Sequence, residues 1–87
     1  MREPVTPKSE VEAFEAFKLA IGKAKGDKGM GCFVSTHEIL GIIQEEVHEL
    51  THAVEHNSPT EVEAELLDIL VASFWGIASM KNKTMDW

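Results

Sequence analysis

Apolar residues return at intervals of three and four in three successive stretches of the chain, the spacing of helices that bury one side. In the first stretch Ala13, Phe14, Phe17, Ala20, Ile21 and Ala24 share a face, while Glu10, Glu12, Lys18 and Lys25 lie elsewhere. In the second, with Glu45 set at zero on a wheel of about 100° per residue, Ile39, Leu40, Ile42, Ile43, Val47, Leu50, Ala53 and Val54 fill an arc from about 60° to about 220°. The third stretch is apolar around most of its circumference, through Val62, Leu66, Leu67, Ile69, Leu70, Val71, Phe74, Trp75, Ile77 and Ala78.

Each stretch also carries a Ser followed three residues later by Glu, the signature of a reciprocal capping box: Ser9/Glu12, Ser35/Glu38 and Ser58/Glu61. Val34 and Ile39 are spaced for a hydrophobic staple, and Pro59 suits the first helical position of the third helix. These signals predict an all-α chain with helices over about 9–25, 35–56 and 58–80, in one domain spanning 1–87. Asn57 and Ser58 leave so short a connection that the second and third helices should form an antiparallel hairpin. The Gly-rich KGDKGMGCF segment between the first two reads as a solvated loop and lacks the Gly-Lys-Ser/Thr ending of a P-loop. Two other short helices cannot cover so apolar a third one, so a homodimer or homotetramer is expected, with hairpins packed into a bundle.

Composition narrows the function. The net charge is −7, from 8 basic and 15 acidic residues. Binding a nucleic-acid polymer would need a clustered excess of Lys and Arg, which this balance does not supply. The apolar run from Ile69 to Met80 falls short of the roughly 20 residues of a membrane span. Cys32 is the only cysteine, so no internal disulfide can form, which fits a reducing compartment or a buried thiol. With a polar N-terminal stretch as well, the expected location is the cytoplasm.

Two incompatible sites run through residues 45–52, EEVHELTH. His48 and His52 frame a His-Glu-x-x-His pattern, which would make a zinc hydrolase; the carboxylates would instead suit a hard cation. On the wheel Glu46 falls at about 100°, inside the apolar arc, and Glu49 at about 40°, on its border, whereas His48 and His52 fall at about 300° and 340° on the polar side. The acids face inward and the histidines outward. A carboxylate in an apolar arc must take up a proton or find a cation. On the third helix Glu65 and Asp68 are three apart, on the one polar strip that helix has. About the hairpin turn, Glu49 and Glu65 each stand about 8 residues away and Glu46 and Asp68 about 11, so each acid has an acid level with it. Four carboxylates should meet in one cleft, where oxygen-only donors select Mg²⁺ or Mn²⁺.

Glu45-Glu46-x-x-Glu49 followed by Glu65-x-x-Asp68 resembles the signature of the MazG-like all-α nucleoside triphosphate pyrophosphatases, a superfamily that includes dimeric dUTPases and phosphoribosyl-ATP pyrophosphatase. The resemblance covers about residues 35–80. It implies Mg²⁺ ligands at Glu46, Glu49, Glu65 and Asp68, catalytic roles for Glu45 and Glu49, and hydrolysis of a nucleoside triphosphate, a deoxynucleotide or non-canonical one, to the monophosphate and pyrophosphate. Relatives continue into a further basic and aromatic helix that grips the substrate, and Lys81 and Lys83 are the weak stand-ins for it here. Phe14, Phe17, Phe33, Phe74 and Trp75 read as core, and Trp87 as a disordered end. Two other readings are a non-catalytic helical module that oligomerises or binds nucleotide, and the zinc hydrolase through His48 and His52.

Overall fold

The first helix begins where proline dictates. In the computed structural model, which describes residues 2–83 and 85, helix α1 spans Pro7–Lys28. A residue before proline is pushed out of the helical region, and Thr6 accordingly sits extended at φ −85°, ψ 153°. Its hydroxyl accepts from the Ser9 amide at 3.1 Å and the Ser9 hydroxyl accepts from the Thr6 amide at 3.2 Å. The capping box is therefore Thr6/Ser9 and not Ser9/Glu12, because Thr6-Pro7 supplies a stop one turn earlier. At the other end the helix runs through Lys28 to Gly29, whose φ of +81° closes it. Four of the nine residues of the segment expected to be loop, 25–28, are thus helical.

Helix α2 spans Thr36–Glu55 and α3 spans Pro59–Asn82. Ser35 caps α2 as expected, accepting from the Glu38 amide at 3.2 Å, but the Glu38 carboxylate accepts from Val34 at 2.7 Å, one residue further back. Val34 itself remains largely exposed. Between α2 and α3 the left-handed residue is Asn57, at φ 52°. The Asn57 amide donates to the Val54 carbonyl and the Ser58 amide to the Ala53 carbonyl, the paired bonds of a Schellman ending. Asn tolerates that conformation better than most residues. Ser58 caps α3 with its backbone alone, with no side-chain bond, so the third expected capping box does not form.

The two longest-range seams differ. Helix α3 packs extensively on α2 and more lightly on α1, and α1 and α2 scarcely meet. Ala72, Gly76 and Ser79, spaced four and three apart, are the buried residues of α3, and Ala53 is the buried residue of α2. A methyl group added at Gly76 would lie 3.2 Å from Cγ2 of Ile39, so glycine is what lets the helices come this close. The 29–35 connection is strapped to α3 by two bonds: the Trp75 indole N–H donates to the Gly31 carbonyl at 2.8 Å, and the Phe33 amide donates to the Ser79 hydroxyl at 3.1 Å. Phe17 meets Phe74 edge-on, with ring centroids 5.7 Å apart, where α1 crosses α3.

Burial in the single chain meets the expectation for α3 and departs from it at several other residues. Leu66, Leu70, Phe74, Ile77 and Met80 form an exposed stripe along α3, and Leu40, Val47 and Val54 form another along α2. Helix α3 is thus not enclosed by the other two. Phe14 and Phe74 are 58 % and 41 % exposed instead of lying in the core, and of the two readings of Cys32 the buried thiol does not hold, since it is exposed. Trp87 lies outside the described residues. No helix is long and apolar enough to cross a membrane among the described residues.

Gly76→Val should force Ile39 and the α2–α3 seam apart, lowering unfolding free energy by about 1–3 kcal/mol, read as a lower denaturant midpoint with an unchanged slope. An unchanged midpoint would mean that the seam can relax around the added side chain.

Candidate metal centre

Helical spacing and the tight turn together build the acidic centre. Glu46 and Glu49 are three apart on α2, and Glu65 and Asp68 three apart on α3, so each pair occupies one face of its helix. The Asn57 turn then brings the two pairs level. One carboxylate oxygen from each of the four lies within 4.8 Å of all the others, and among the described residues this is the one group of three or more His, Cys, Asp or Glu side chains so gathered. Glu46 and Glu65 are half-buried, Glu49 and Asp68 exposed. The ordering agrees with the helical wheel, which put Glu46 deeper than Glu49.

The electrostatics of this cluster are unfavourable in isolation. Oε2 of Glu46 and Oε2 of Glu65 are both shut off from solvent with no hydrogen-bond partner. A buried acceptor without a donor costs roughly 1–3 kcal/mol, more when it carries charge. Burial first, and then the nearby charges of Asp68, Glu49 and Glu65, push the Glu46 carboxyl up to about 7. The Glu65 carboxyl is raised in the same way, by burial and by Glu49 and Asp68. A hard divalent cation removes both problems at once, by taking the orphaned oxygens as ligands and by compensating their repulsion. Opposite oxygens around one Mg²⁺ stand about 4.2 Å apart, so a 4.8 Å spread needs only a small inward movement. The donor set fits Mg²⁺ or Mn²⁺.

Other sequence candidates sit elsewhere. Glu45 is exposed on α2 and one turn before Glu49, beside the quartet but not part of it. Lys81 and Lys83 are exposed at the far end of α3; Lys81 is about 20 Å along the axis from Asp68, at about 1.5 Å per residue. The structure does not bring them to the acids of their own chain. His48 and His52 lie exposed, with ring centroids 5.8 Å apart, and His56 stacks on His52 at 5.1 Å. No third ligand joins them among the described residues.

A cleft of about 360 Å³ opens beside the quartet, with Glu46 and Asp68 in its wall. Its apolar lining includes Ile42, Val71, Ala72 and Trp75, and it is closed on the far side by the end of α1 and the connection through Phe33. Trp75 and Phe33, expected as core, are half-buried and face this space. A volume of this size lies within the range of small-molecule pockets. Trp75 could have been found from the sequence: it lies seven residues after Asp68, hence two turns along the same face.

The family model of the MazG nucleotide pyrophosphohydrolase domain matches residues 34–86, more than half of the chain. The chain belongs to that family. The matched segment contains α2, α3 and all four carboxylates, whereas α1 precedes it. No curated protein and no solved structure matches the chain. As a MazG domain it is a member of a nucleotide pyrophosphohydrolase family, and its acidic quartet is the part of the structure suited to holding a polyphosphate's counter-ion.

The raised carboxyl of Glu46 gives the metal-free MazG domain a definite pH dependence. An acid that binds its proton more tightly in the folded state loses stability for the fold as pH climbs from the unfolded value of 4.5 through about 7. Chelator-treated protein should therefore melt at a lower temperature above about pH 7.5 than near about pH 5.5, and Glu46→Gln should flatten that difference. Added Mg²⁺ or Mn²⁺ should raise the melting temperature more at the higher pH. Equal cation effects at both pH values would mean that ions bind away from these acids.

Proposed function

We propose that this MazG domain hydrolyses a nucleoside triphosphate, a deoxynucleotide or a non-canonical one, to the nucleoside monophosphate and pyrophosphate, with Mg²⁺ or Mn²⁺ as cofactor. The observation that carries this reading is the quartet: four carboxyl oxygens within 4.8 Å of one another, beside a cleft that can take a small molecule. Glu46, Glu49, Glu65 and Asp68 are the metal ligands in this proposal. The bound cation supplies charge compensation for the substrate's phosphates.

The chain's own groups do the rest. Glu46 and Glu65, held in the α2–α3 seam, fix the position of the centre, while Glu49 and Asp68 complete it from the solvent side. Glu49 and Glu45 are one turn apart on the exposed side of α2, and in this proposal they take the proton from an attacking water. The water oxygen bonds to the α-phosphorus, the α–β anhydride bond breaks, and pyrophosphate leaves with the bond's electron pair. Removing unwanted nucleotides from the cytoplasmic pool is the cellular role that such a reaction suits.

A homodimer or homotetramer is part of the proposal. The stripe of Leu66, Leu70, Phe74, Ile77 and Met80 presents five large apolar side chains to water along one helix, and a neighbouring hairpin laid along it would bury that surface. In such an assembly Lys81 and Lys83 would serve a neighbour's site. Sedimentation should give two or four times the chain mass; the mass of a single chain would exclude this assembly.

Incubation with a panel of deoxynucleoside triphosphates and Mg²⁺ should release pyrophosphate, and chelator should abolish the release. Glu49→Gln should cut kcat by roughly 10²-fold or more while the protein stays folded. Full activity in Glu49→Gln would sink the assignment. Tight nucleotide binding without pyrophosphate release from wild-type protein would leave only a binding module.

A further inference from the structure

The cleft has an unusual charge distribution for so acidic a chain. Three of the 8 basic residues, Lys23, Lys25 and Lys28, line it. Glu46 and Asp68 belong to the same lining. All three lie on α1, outside the segment 34–86 that defines the family match. Lys8 and Lys18, further back on the same helix, pair with Glu12 and Glu15 at 3.9 and 3.8 Å. Among the described residues, Lys23, Lys25 and Lys28 stand within ion-pairing distance of no carboxylate. Asp27 is the one acid of α1 that shares the cleft with them.

Helix geometry explains why they are there. Lys28 lies one turn beyond Ala24, so the apolar stripe by which α1 faces the cleft ends in a cation, with Lys25 on one flank of the stripe and Lys23 on the other. Lysines in a last helical turn also favour the helix dipole. That accounts for Lys25 and Lys28 being basic, but not for Lys23, nor for the absence of carboxylate partners on the side facing the acids. Charges left uncompensated around one cleft are suited to an anion that arrives from outside.

We infer that Lys23, Lys25 and Lys28 form the cationic side of a phosphate clamp, gripping the polyphosphate of the nucleotide from α1 while the α2–α3 carboxylates hold it through the cation. This rests on the proposed pyrophosphohydrolase reading and adds residues to its site. The polyphosphate lies between two walls of opposite charge, and each wall needs it: the carboxylate wall through its metal, the lysine wall directly. The apolar stretch of the cleft at Val71 and Trp75 is left for the base.

The test uses the full chain with Mg²⁺ and the α,β-imido analogues of the deoxynucleoside triphosphates, titrated by calorimetry, alongside steady-state kinetics with the triphosphates themselves. Lys28→Ala should weaken analogue binding and raise KM by about tenfold, with kcat changed much less. The triple Lys23→Ala, Lys25→Ala, Lys28→Ala variant should lose about a hundredfold or more, and its binding should depend less steeply on ionic strength. Lys28→Arg should recover most of the loss, and Lys18→Ala should match wild type. The Mg²⁺-induced rise in melting temperature should persist in the triple variant, which shows that the chain is folded and the metal centre intact. Wild-type turnover together with an unchanged KM and analogue affinity in the triple variant overturns the clamp alone. Wild-type protein that neither binds the analogues nor releases pyrophosphate overturns the reading on which the clamp rests.

Discussion

Helices α2 and α3 approach through residues that have almost no side chain, and the remaining features of the site follow from that contact. Ile39 of α2 fits against the bare backbone of Gly76 on α3, and the buried residues of the two helices, Ala53, Ala72, Gly76 and Ser79, are all small. Helices this close leave little room between them for anything but short, shared contacts. Glu46 and Glu65, nearer the turn than Ile39 and Gly76 on the same two helices, bring their carboxylates together with those of Glu49 and Asp68 within 4.8 Å. With a wider spacing each acid would reach water and keep its ordinary ionisation. The same packing that stabilises the hairpin thus forces its acids together, and the orphaned oxygens of Glu46 and Glu65 are the local cost.

That division between a stabilising seam and a destabilising cluster is what makes a cation plausible as a structural partner as well as a catalytic one. Small domains bury a limited fraction of their surface and have little stability to spare. A cluster that raises one carboxyl to about 7 draws on that reserve whenever the proton is removed without replacement. A bound ion converts the cluster from a liability into a link between two helices. The strap from α3 to the 29–35 connection, through Trp75 and Ser79, works in the same direction, since it holds the cleft's far wall in place without drawing on the seam.

Much of the hairpin was legible from the letters because its constraints are local and periodic. The turn at Asn57 and Ser58 fixed the register, the three-residue spacings fixed the faces, and together they put Glu46 opposite Asp68 and Glu49 opposite Glu65. The inward acids and outward histidines followed from the same periodicity. Helix α1 was less legible. Its true start depends on Thr6-Pro7, a signal masked by the more conspicuous Ser9/Glu12 pair, and its end depends on Gly29 and not on the earlier glycines at 22 and 26. Burial was misjudged for Phe14, Phe33, Phe74 and Trp75 because apolar character alone does not say which neighbour will cover a side chain. In particular, two aromatic residues assigned to the core turn out to shape the cleft.

The contrast between the matched segment and α1 bears on how such a site can change its substrate. The carboxylate pairs sit on two helices joined by a three-residue turn, so moving one pair against the other would cost the seam its fit around Gly76. Helix α1 is attached far more lightly: it packs on α3 only, through contacts such as Phe17 against Phe74, and is joined to α2 by a glycine-bearing connection. Its residues can therefore be exchanged, or the helix shifted by a fraction of a turn, without disturbing the acids. Under the proposed reading, substitutions at the acids would decide whether the cation is held, while substitutions on α1 and at Trp75 would decide how well the phosphates and the base are gripped. A rigid centre with a loosely docked third helix separates those two properties in a chain of only 87 residues.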